Sequence, residues 1–189
     1  MKKILLFAMI ICALQGCIFI AGAAAGAAAV TIVYDHRKLE KIMLDERTTK
    51  IATDKIRANE ELSKNSHIEV NSFNQIVLLT GQAMTADLRA EAEAAVRTVP
   101  DVKKIYNQIL IKGPASSFTQ ASDTWITAKI KTQMLATKGL KSSTIKVITE
   151  NGTVYLMGLV NRPQAEMAVS IARQVSGVQR VIKIFQYTQ

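Results

Sequence analysis

The chain is poor in the residues that most catalytic and metal sites use. Among its 189 residues are two cysteines, Cys12 and Cys17, and two histidines, His36 and His67. Both cysteines lie near the start, so they offer the remaining chain neither a disulfide nor a thiolate metal site. Neither histidine has a cysteine or carboxylate at metal-ligand spacing, and no P-loop or GxGxxG motif occurs. We therefore expect no enzyme, no metal, no cofactor and no small-molecule substrate.

Acidic residues are also scarce relative to basic ones. Fifteen aspartates and glutamates face 24 lysines and arginines, which leaves a formal net charge of +9. Such a charge predicts an anionic partner, and phospholipid head groups, nucleic acid and acidic proteins all qualify. The excess is concentrated late in the chain, because residues 121–189 hold nine basic and three acidic side chains.

Residues 1–16 are typical of an export signal. Two lysines precede an apolar run over residues 4–14, and the segment ends in Leu14-Gln15-Gly16-Cys17, the pattern of a bacterial lipobox. This predicts cleavage before Cys17 and acylation of its thiol, with residues 17–46 as lipid anchor and linker. Ile18, which is not acidic, favours the outer membrane. The alternative is an uncleaved membrane anchor, because residues 4–33 carry no charge and could span a bilayer.

The rest of the chain contains an internal repeat, predicted as residues 47–112 and 123–189 with a linker at 113–122. The segment that ends at Gly81 matches the segment that ends at Gly158 with an offset of 77 residues. Upstream, the apolar pattern aligns Ile51 with Trp125 and Ile56 with Ile130, an offset of 74. We expect the two glycines to be structural, placed where each strand exits into a helix with positive φ.

Each copy has the pattern helix, strand, strand, helix, strand. The Asn151-Gly152 pair between two apolar runs is a strong hairpin signal, and Thr85 and Pro163 suit the first turns of helices. This order predicts an α+β fold in which a three-stranded sheet packs against two helices. The predicted helices span 48–63, 85–97, 123–136 and 163–175, and the predicted strands span 67–72, 76–81, 102–111, 144–149, 153–160 and 178–187.

The pattern and several motifs resemble the BON domain, and a lipobox before two such domains resembles the family of dual BON-domain outer-membrane lipoproteins. The second copy carries the likeness best. Its matching motifs are Asp123-Thr124-Trp125-Ile126-Thr127, Ser142-Ser143, Thr149-Glu150-Asn151-Gly152 and the run Tyr155–Val160. The resemblance implies that the opening helix of the second domain binds anionic phospholipids. The positions carried over are Trp125, Ile130 and Leu135, with Lys129 and Lys131 beside them.

The periodicity of that opening helix gives a related but separate expectation. Ile126, Ile130 and Met134 lie on one face that can pack on a sheet, whereas Trp125 and Leu135 lie on a second stripe. Tryptophan favours the head-group level of a membrane, and lysines are attracted to anionic surfaces. The alternative is that Trp125 and Leu135 pack against the first copy or the linker.

These observations predict a non-enzymatic, lipid-anchored outer-membrane protein whose folded part faces the periplasm. Phosphatidylglycerol and cardiolipin are the expected ligands, and the resemblance implies support of envelope integrity and a location at division sites. The alternative is an adaptor for outer-membrane assembly proteins. Nucleic acid is not an expected partner, because export removes the opportunity.

Overall fold

A computed structural model describes residues 39–113 and 116–188, which fall within one compact unit, Arg37–Gln189. Both copies have the predicted order of helices and strands. The first consists of α1 (Leu39–Ala58), α2 (Glu60–Asn65), β1 (Ser66–Phe73), β2 (Ile76–Ala83), α3 (Ala86–Arg97), β3 (Lys104–Asn107) and β4 (Leu110–Ile111). The second consists of α4 (Ser117–Ala136), a 3-10 turn (Ser142–Thr144), β5 (Ile145–Glu150), β6 (Thr153–Val160), α5 (Arg162–Gln174) and β7 (Arg180–Tyr187).

The two sheets share one topology. In the second copy β6 lies in the centre, antiparallel to β5 and parallel to β7, which confirms the three-stranded prediction. In the first copy β2 is central and β3 and β4 both run parallel to it. Leu79 faces Asn107 and Gln82 faces Leu110, so the register does not change between them. Strands β3 and β4 therefore correspond to the single predicted strand 102–111, which is interrupted opposite Thr80 and Gly81.

Both opening helices begin earlier than the sequence predicted. Helix α4 starts at Ser117 rather than residue 123, because the Ser116 hydroxyl accepts a hydrogen bond from the Thr119 N–H and caps the helix. The predicted linker is therefore partly helical. Helix α1 starts at Leu39 rather than residue 48, and a break at Asn59 separates it from α2. The Asn59 side chain caps α2 by accepting from two backbone N–H groups.

The predicted turns and helix caps are confirmed. Asn151 and Gly152 both adopt positive φ, 51° and 70°, which is the geometry of a two-residue hairpin loop. Asn74 and Gln75 repeat it in the first copy with φ of 49° and 68°. The Thr85 hydroxyl accepts from the Leu88 N–H at 3.2 Å, and a proline stands in the first turn of α5.

The structure corrects the expectation for the two shared glycines. Neither lies at a strand exit, because Gly81 pairs with Ile68 inside the β1–β2 ladder and Gly158 pairs with Ile145 inside the β5–β6 ladder. Gly81 has the predicted positive φ, +106°, whereas the φ of Gly158 is not in that range. A Cβ at Gly158 would lie 2.8 Å from the carbonyl oxygen of Thr144. What Gly158 supplies is space for the neighbouring backbone.

Each copy buries its own core between its sheet and its helices, as amphipathic elements must. The core of the first copy is formed by Ala52, Ile56, Leu62, Val70, Val77, Leu79, Ala83, Leu88, Ala92, Val96, Val99 and Ile109. The core of the second copy is formed by Ile126, Ile130, Met134, Leu140, Ile145, Val147, Val154, Leu156, Val160, Ala165, Ala168, Val169, Ala172 and Val175.

A third apolar cluster joins the copies through the sheet faces that carry no helices. Its members alternate along the strands with the residues of the two inner cores, so both faces of each sheet are covered. Polar contacts flank the cluster: Gln82 donates to the Glu150 carboxylate, and Lys146 donates to the Ser72 carbonyl at 3.4 Å. The buried members of the cluster are Phe73, Leu78, Ile148, Tyr155, Met157 and Ile184.

Candidate functional site

Helix α4 is held on its sheet by one apolar face. Ile126, Ile130 and Met134 are each no more than 1% exposed, as the helical periodicity predicted. The expected lipid contact of Ile130 is therefore wrong. Its side chain is fully buried in the core of the second copy, and it cannot meet a membrane while the helix stays packed. Its role is to hold the helix.

The opposite face of α4 presents apolar side chains to solvent. Trp125 is 53% exposed and Leu135 is 78% exposed, so the indole is not sealed against the first copy. Ala128 and Thr132 lie between them and are also exposed. The Thr132 hydroxyl donates to the Ala128 carbonyl of its own helix at 2.9 Å, which satisfies its donor within the helix. We call Trp125, Ala128, Thr132 and Leu135 the apolar ridge.

Positive charge borders the apolar ridge, and no carboxylate lies on it. Lys129 and Lys131 are exposed, and within the described part of the chain neither forms an ion pair. The one acid of α4, Asp123, is 7% exposed. Lys131 stands on the flank, where it lines a groove between α4 and strand β1 together with Glu69. The structure thus brings Trp125, Lys129 and Leu135 to the outer side of the helix and places Lys131 beside them.

Asp123 has a structural task that the sequence reasoning missed. Its carboxylate accepts hydrogen bonds from the backbone N–H groups of Asn151 (2.6 Å) and Gly152 (2.9 Å). Asp45 does the same for Asn74 (2.7 Å) and Gln75 (3.1 Å) in the first copy. Each opening helix is thereby fastened to the hairpin turn of its own sheet. The available signal was an aspartate 28 or 29 residues before both turns.

These two aspartates also correct the predicted alignment of the opening helices. If Asp45 corresponds to Asp123, the offset there is 78 residues rather than 74. Buried Ile56 then corresponds to Met134, and Ile51 does not correspond to Trp125.

Comparison with known protein families then identifies the chain. The model of the BON domain matches twice, over residues 45–113 and 122–189. The chain belongs to the BON-domain family. Both copies of the repeat are therefore BON domains, as the sequence motifs predicted.

Two curated proteins show the extent of the similarity. The chain is 34% identical over 175 residues to the outer membrane lipoprotein DolP of Haemophilus influenzae, a match that covers 92% of this chain and 90% of that protein. It is 38% identical over 129 residues to the 21 kDa hemolysin of Actinobacillus pleuropneumoniae, covering 68% of this chain and 66% of that protein. Among solved structures, the C-terminal domain of Chlamydia trachomatis CdsD superposes with a TM-score of 0.31 at 14% identity, over 77% of this chain and 67% of that one.

The two BON domains differ on the outer face of their opening helices. With the offset of 78, the positions of Trp125 and Leu135 are occupied in the first domain by two arginines, Arg47 and Arg57. The positions of Ala128 and Thr132 are occupied by Lys50 and Asp54, which form an ion pair at 2.6 Å. The first domain therefore has a hydrated, charged helix where the second has the apolar ridge.

Cys17, the signal segment and His36 lie outside the described residues. Within residues 39–113 and 116–188 no group of three or more histidines, cysteines, aspartates and glutamates is placed to hold a metal ion. No helix in that part of the chain is long and apolar enough to cross a membrane.

Proposed function

We propose that this protein is an outer-membrane lipoprotein that binds anionic phospholipid bilayers through the apolar ridge of its second BON domain. The observation that carries the proposal is the exposure of Trp125 and Leu135 on one side of a helix whose other side is locked into the core. Large apolar side chains that are exposed together on one side of a helix are typical of surfaces that contact an apolar partner.

The charges around the ridge favour a bilayer with anionic head groups. Each lysine near such a surface contributes about 1 kcal/mol, and tryptophan favours the head-group level. Lys129 borders the ridge directly and Lys131 flanks it. Because no carboxylate lies on this face, nothing there would repel a phosphate. The first domain carries arginines in place of Trp125 and Leu135, so it would be attracted to the surface but would lack this pair of apolar side chains.

The proposed anchor is the acylated Cys17. Its lipobox motif and the similarity to a protein named outer membrane lipoprotein both support this part of the proposal. Each buried methylene of an acyl chain contributes about 0.8 kcal/mol, so more than one chain would hold the protein firmly. The anchored protein would keep its second BON domain close to the head groups. In this position it would support envelope integrity and act at division sites.

Vesicle binding tests the role of the ridge. A fragment covering residues 35–189 should sediment with vesicles of phosphatidylglycerol or cardiolipin and not with phosphatidylcholine alone, and added salt should weaken the binding. Because Trp125 is the chain's single tryptophan, a blue shift of its fluorescence would report insertion of the ridge. We expect Trp125→Glu to weaken binding by about tenfold or more, since it places a charge where apolar burial is needed.

The matched control is Ala58→Glu, which adds the same charge to an exposed position of the first domain's opening helix. It should change vesicle binding by about fivefold at most, because one charge near the surface contributes about 1 kcal/mol and no apolar burial is lost. Equal losses in both variants would contradict a specific ridge. A folded fragment that ignores anionic vesicles would reject the proposal and favour an adaptor for outer-membrane assembly proteins.

Mass spectrometry of the mature N-terminus tests the anchor. The proposal expects a chain that begins at Cys17 and carries acyl groups. A purified chain that retains residues 1–16 without acyl groups would exclude it.

A further inference from the structure

A second surface of the second BON domain is a groove between α5 and the edge strand β7. Its volume is about 440 Å³, and it is open to solvent along one side. Its floor is apolar, because Ala165 and Val169 are buried, and its rim is largely charged. The lining is completed by Arg162, Glu166, Ser170, Arg173, Gln174, Lys183 and Tyr187.

Three cations stand along this groove, and one acid, Glu166, stands with them. Arg162 and Arg173 are 11 residues apart on α5, which corresponds to about 16 Å along a helix. Lys183 lies on the strand side. All three are exposed, and within the described residues none of them forms an ion pair. Arg162 instead lies over the ring of Tyr187, 5.5 Å from its centroid.

The equivalent groove of the first BON domain is closed. There Arg89 donates to the Asn107 carbonyl at 3.2 Å, and the Asn107 amide donates to Glu93 at 3.0 Å. Glu93 also accepts from Arg97, and the hydrogen bond from Asn107 lowers the pKa of Glu93 below its ordinary value. The first domain thus fills its groove with side chains that bind one another.

The second domain lacks three of the four side chains that form that closure. The helix N-caps Thr85 and Asn161 set the offset at 76 residues, so Ala165 replaces Arg89, Val169 replaces Glu93 and Lys183 replaces Asn107. On the helix, a short side chain therefore replaces an arginine and an apolar one replaces a glutamate. On the strand, a lysine replaces an asparagine. The arginine at the end, Arg173, is kept without its carboxylate partner. The open, cationic groove therefore belongs to the second domain.

Strand β7 offers this groove a free edge. Among the described strands it pairs with β6 alone, over the whole of Arg180–Tyr187. An edge strand presents unpaired backbone N–H and C=O groups that an extended peptide can bind. Lys183 and Tyr187 lie on the same side of β7 as α5, because they pair with Leu156 and Val160 of the inner core.

We propose that this groove binds an extended acidic segment of a partner protein, added as a strand alongside β7. Alternate residues of a strand face the same way and lie about 7 Å apart, so acids at every second position would follow the line of Arg162, Lys183 and Arg173. The backbone would pair with β7 while the acids meet the cations. The inference goes beyond the proposed membrane binding and does not depend on it.

A labelled peptide tests this inference on the full chain, held in micelles of an uncharged detergent. The probe is an eight-residue peptide of alternating valine and glutamate, matched to the length of β7. We expect saturable binding by fluorescence anisotropy that weakens with salt, and binding about tenfold weaker for the counterpart with glutamine in place of glutamate. Hydrogen–deuterium exchange should slow in residues 180–187 when the acidic peptide is bound.

The variant Arg173→Ala/Lys183→Ala should weaken peptide binding about tenfold, because it removes two of the three cations. The control Arg97→Ala/Lys104→Ala removes the same charge from the corresponding helix and strand of the first domain, and should change binding by about twofold at most. All four side chains are exposed, so both variants should fold. Trp125→Glu should retain full peptide binding, which separates this result from the membrane proposal.

Four outcomes would overturn the inference. One is the absence of peptide binding, and another is an equal loss in the groove variant and its control. The third is binding without slower exchange in residues 180–187. If the groove variant loses binding to phosphatidylglycerol vesicles but not to the peptide, the groove serves lipid and the inference is also wrong.

Discussion

Gly81 and Gly158 show how a glycine can be required for the space that it leaves to a neighbouring backbone. Each lies in a central strand where a neighbouring stretch of backbone comes very close, at His67 in β1 or at Thr144 directly before β5. A Cβ on Gly81 would approach the His67 carbonyl oxygen to 2.0 Å, and the residue also has a φ of +106°. At Gly158 the corresponding distance is 2.8 Å without a positive φ. The two positions therefore share one steric cause but differ in severity.

We expect Gly81→Ala to destabilise the protein more than Gly158→Ala. Gly158→Ala should cost about 1–3 kcal/mol as the two strands separate slightly, whereas Gly81→Ala adds backbone strain and should cost more. Urea unfolding followed by circular dichroism would measure both. Gly139→Ala is a useful control, because it has positive φ but open space around it. A loss at Gly139 as large as at Gly81 would show that φ, and not the backbone contact, is decisive.

The side chains of α4 show what periodicity decides at this scale. Spacing alone assigned Ile126, Ile130 and Met134 to the core, and their burial confirms it. The family likeness had added Ile130 to the lipid contacts, and the structure contradicts that assignment. Where the two sources disagreed, the helical geometry was correct, because a residue's face on a helix is fixed by its position.

At the scale of elements, each opening helix is tied to a turn about 28 residues away. The predicted starts of these helices were too late because the segments before them, charged in the first copy and rich in serine and threonine in the second, look like linkers in the sequence. Their helical state depends on tertiary contacts and on the Ser116 cap. Residues 39–47 looked like a linker, yet Asp45 among them is 4% exposed and holds the first hairpin turn. A polar residue with such a distant partner has no local signature.

The two hydrogen bonds of Asp123 make it a sensitive position. Asp123→Asn keeps one acceptor oxygen but turns an NH₂ group toward the other backbone N–H, so one charge-assisted bond is lost. We expect a loss of about 1–3 kcal/mol in the free energy of unfolding. Thermal or urea unfolding would measure this loss, with the fluorescence of Trp125, two residues after Asp123, as the signal.

Asp54→Asn is the matched control on the opening helix of the first domain. Its pair with Lys50 lies at the surface, where such pairs contribute about 0.3–0.5 kcal/mol. If Asp123→Asn proved no worse than this control, the turn contact would have no special role in stability.

At the scale of the whole molecule, the two BON domains are joined by the outer faces of their sheets. Strands β2 and β6 are apolar on both sides, with Leu78 and Tyr155 facing outward and Leu79 and Leu156 facing inward. Unbroken apolar runs are typical of strands covered on both faces. The runs at 76–79 and 153–160 could have predicted this contact, although they could not have named the partner.

Glu150 makes this contact sensitive to pH. Burial raises the pKa of Glu150 above its ordinary value, and the Glu69 carboxylate of the other domain raises it further, while the hydrogen bond from Gln82 opposes the shift. The pKa of Glu150 is higher in the folded chain than in the unfolded one. At a pH between these two values the unfolded chain therefore binds fewer protons than the folded chain. Stability therefore falls as the pH rises from below 4.5 through the folded pKa.

We expect Glu150→Gln to be more stable than the native chain at neutral pH, because an uncharged amide avoids the cost of burying charge and its oxygen can still accept from Gln82. The advantage should shrink as the pH is lowered and Glu150 itself becomes neutral. Thermal unfolding over an acid-to-neutral series would measure it. Glu46→Gln, at an exposed position, should show no such trend, and a parallel trend in both variants would exclude the buried charge as its cause.

The sequence by itself determined the αββαβ order, the hairpin turns, most strand bounds and the division of α4 into a buried and an apolar outer face. These features follow from contacts between near neighbours in the chain, which a repeating pattern reports directly. Tertiary structure alone decided that Trp125 stays exposed, that Asp45 and Asp123 hold distant turns, and that the groove beside β7 is open in one domain and closed in the other. Each of these depends on contacts between side chains that are tens of residues apart in the chain. Neither composition nor periodicity reports such contacts.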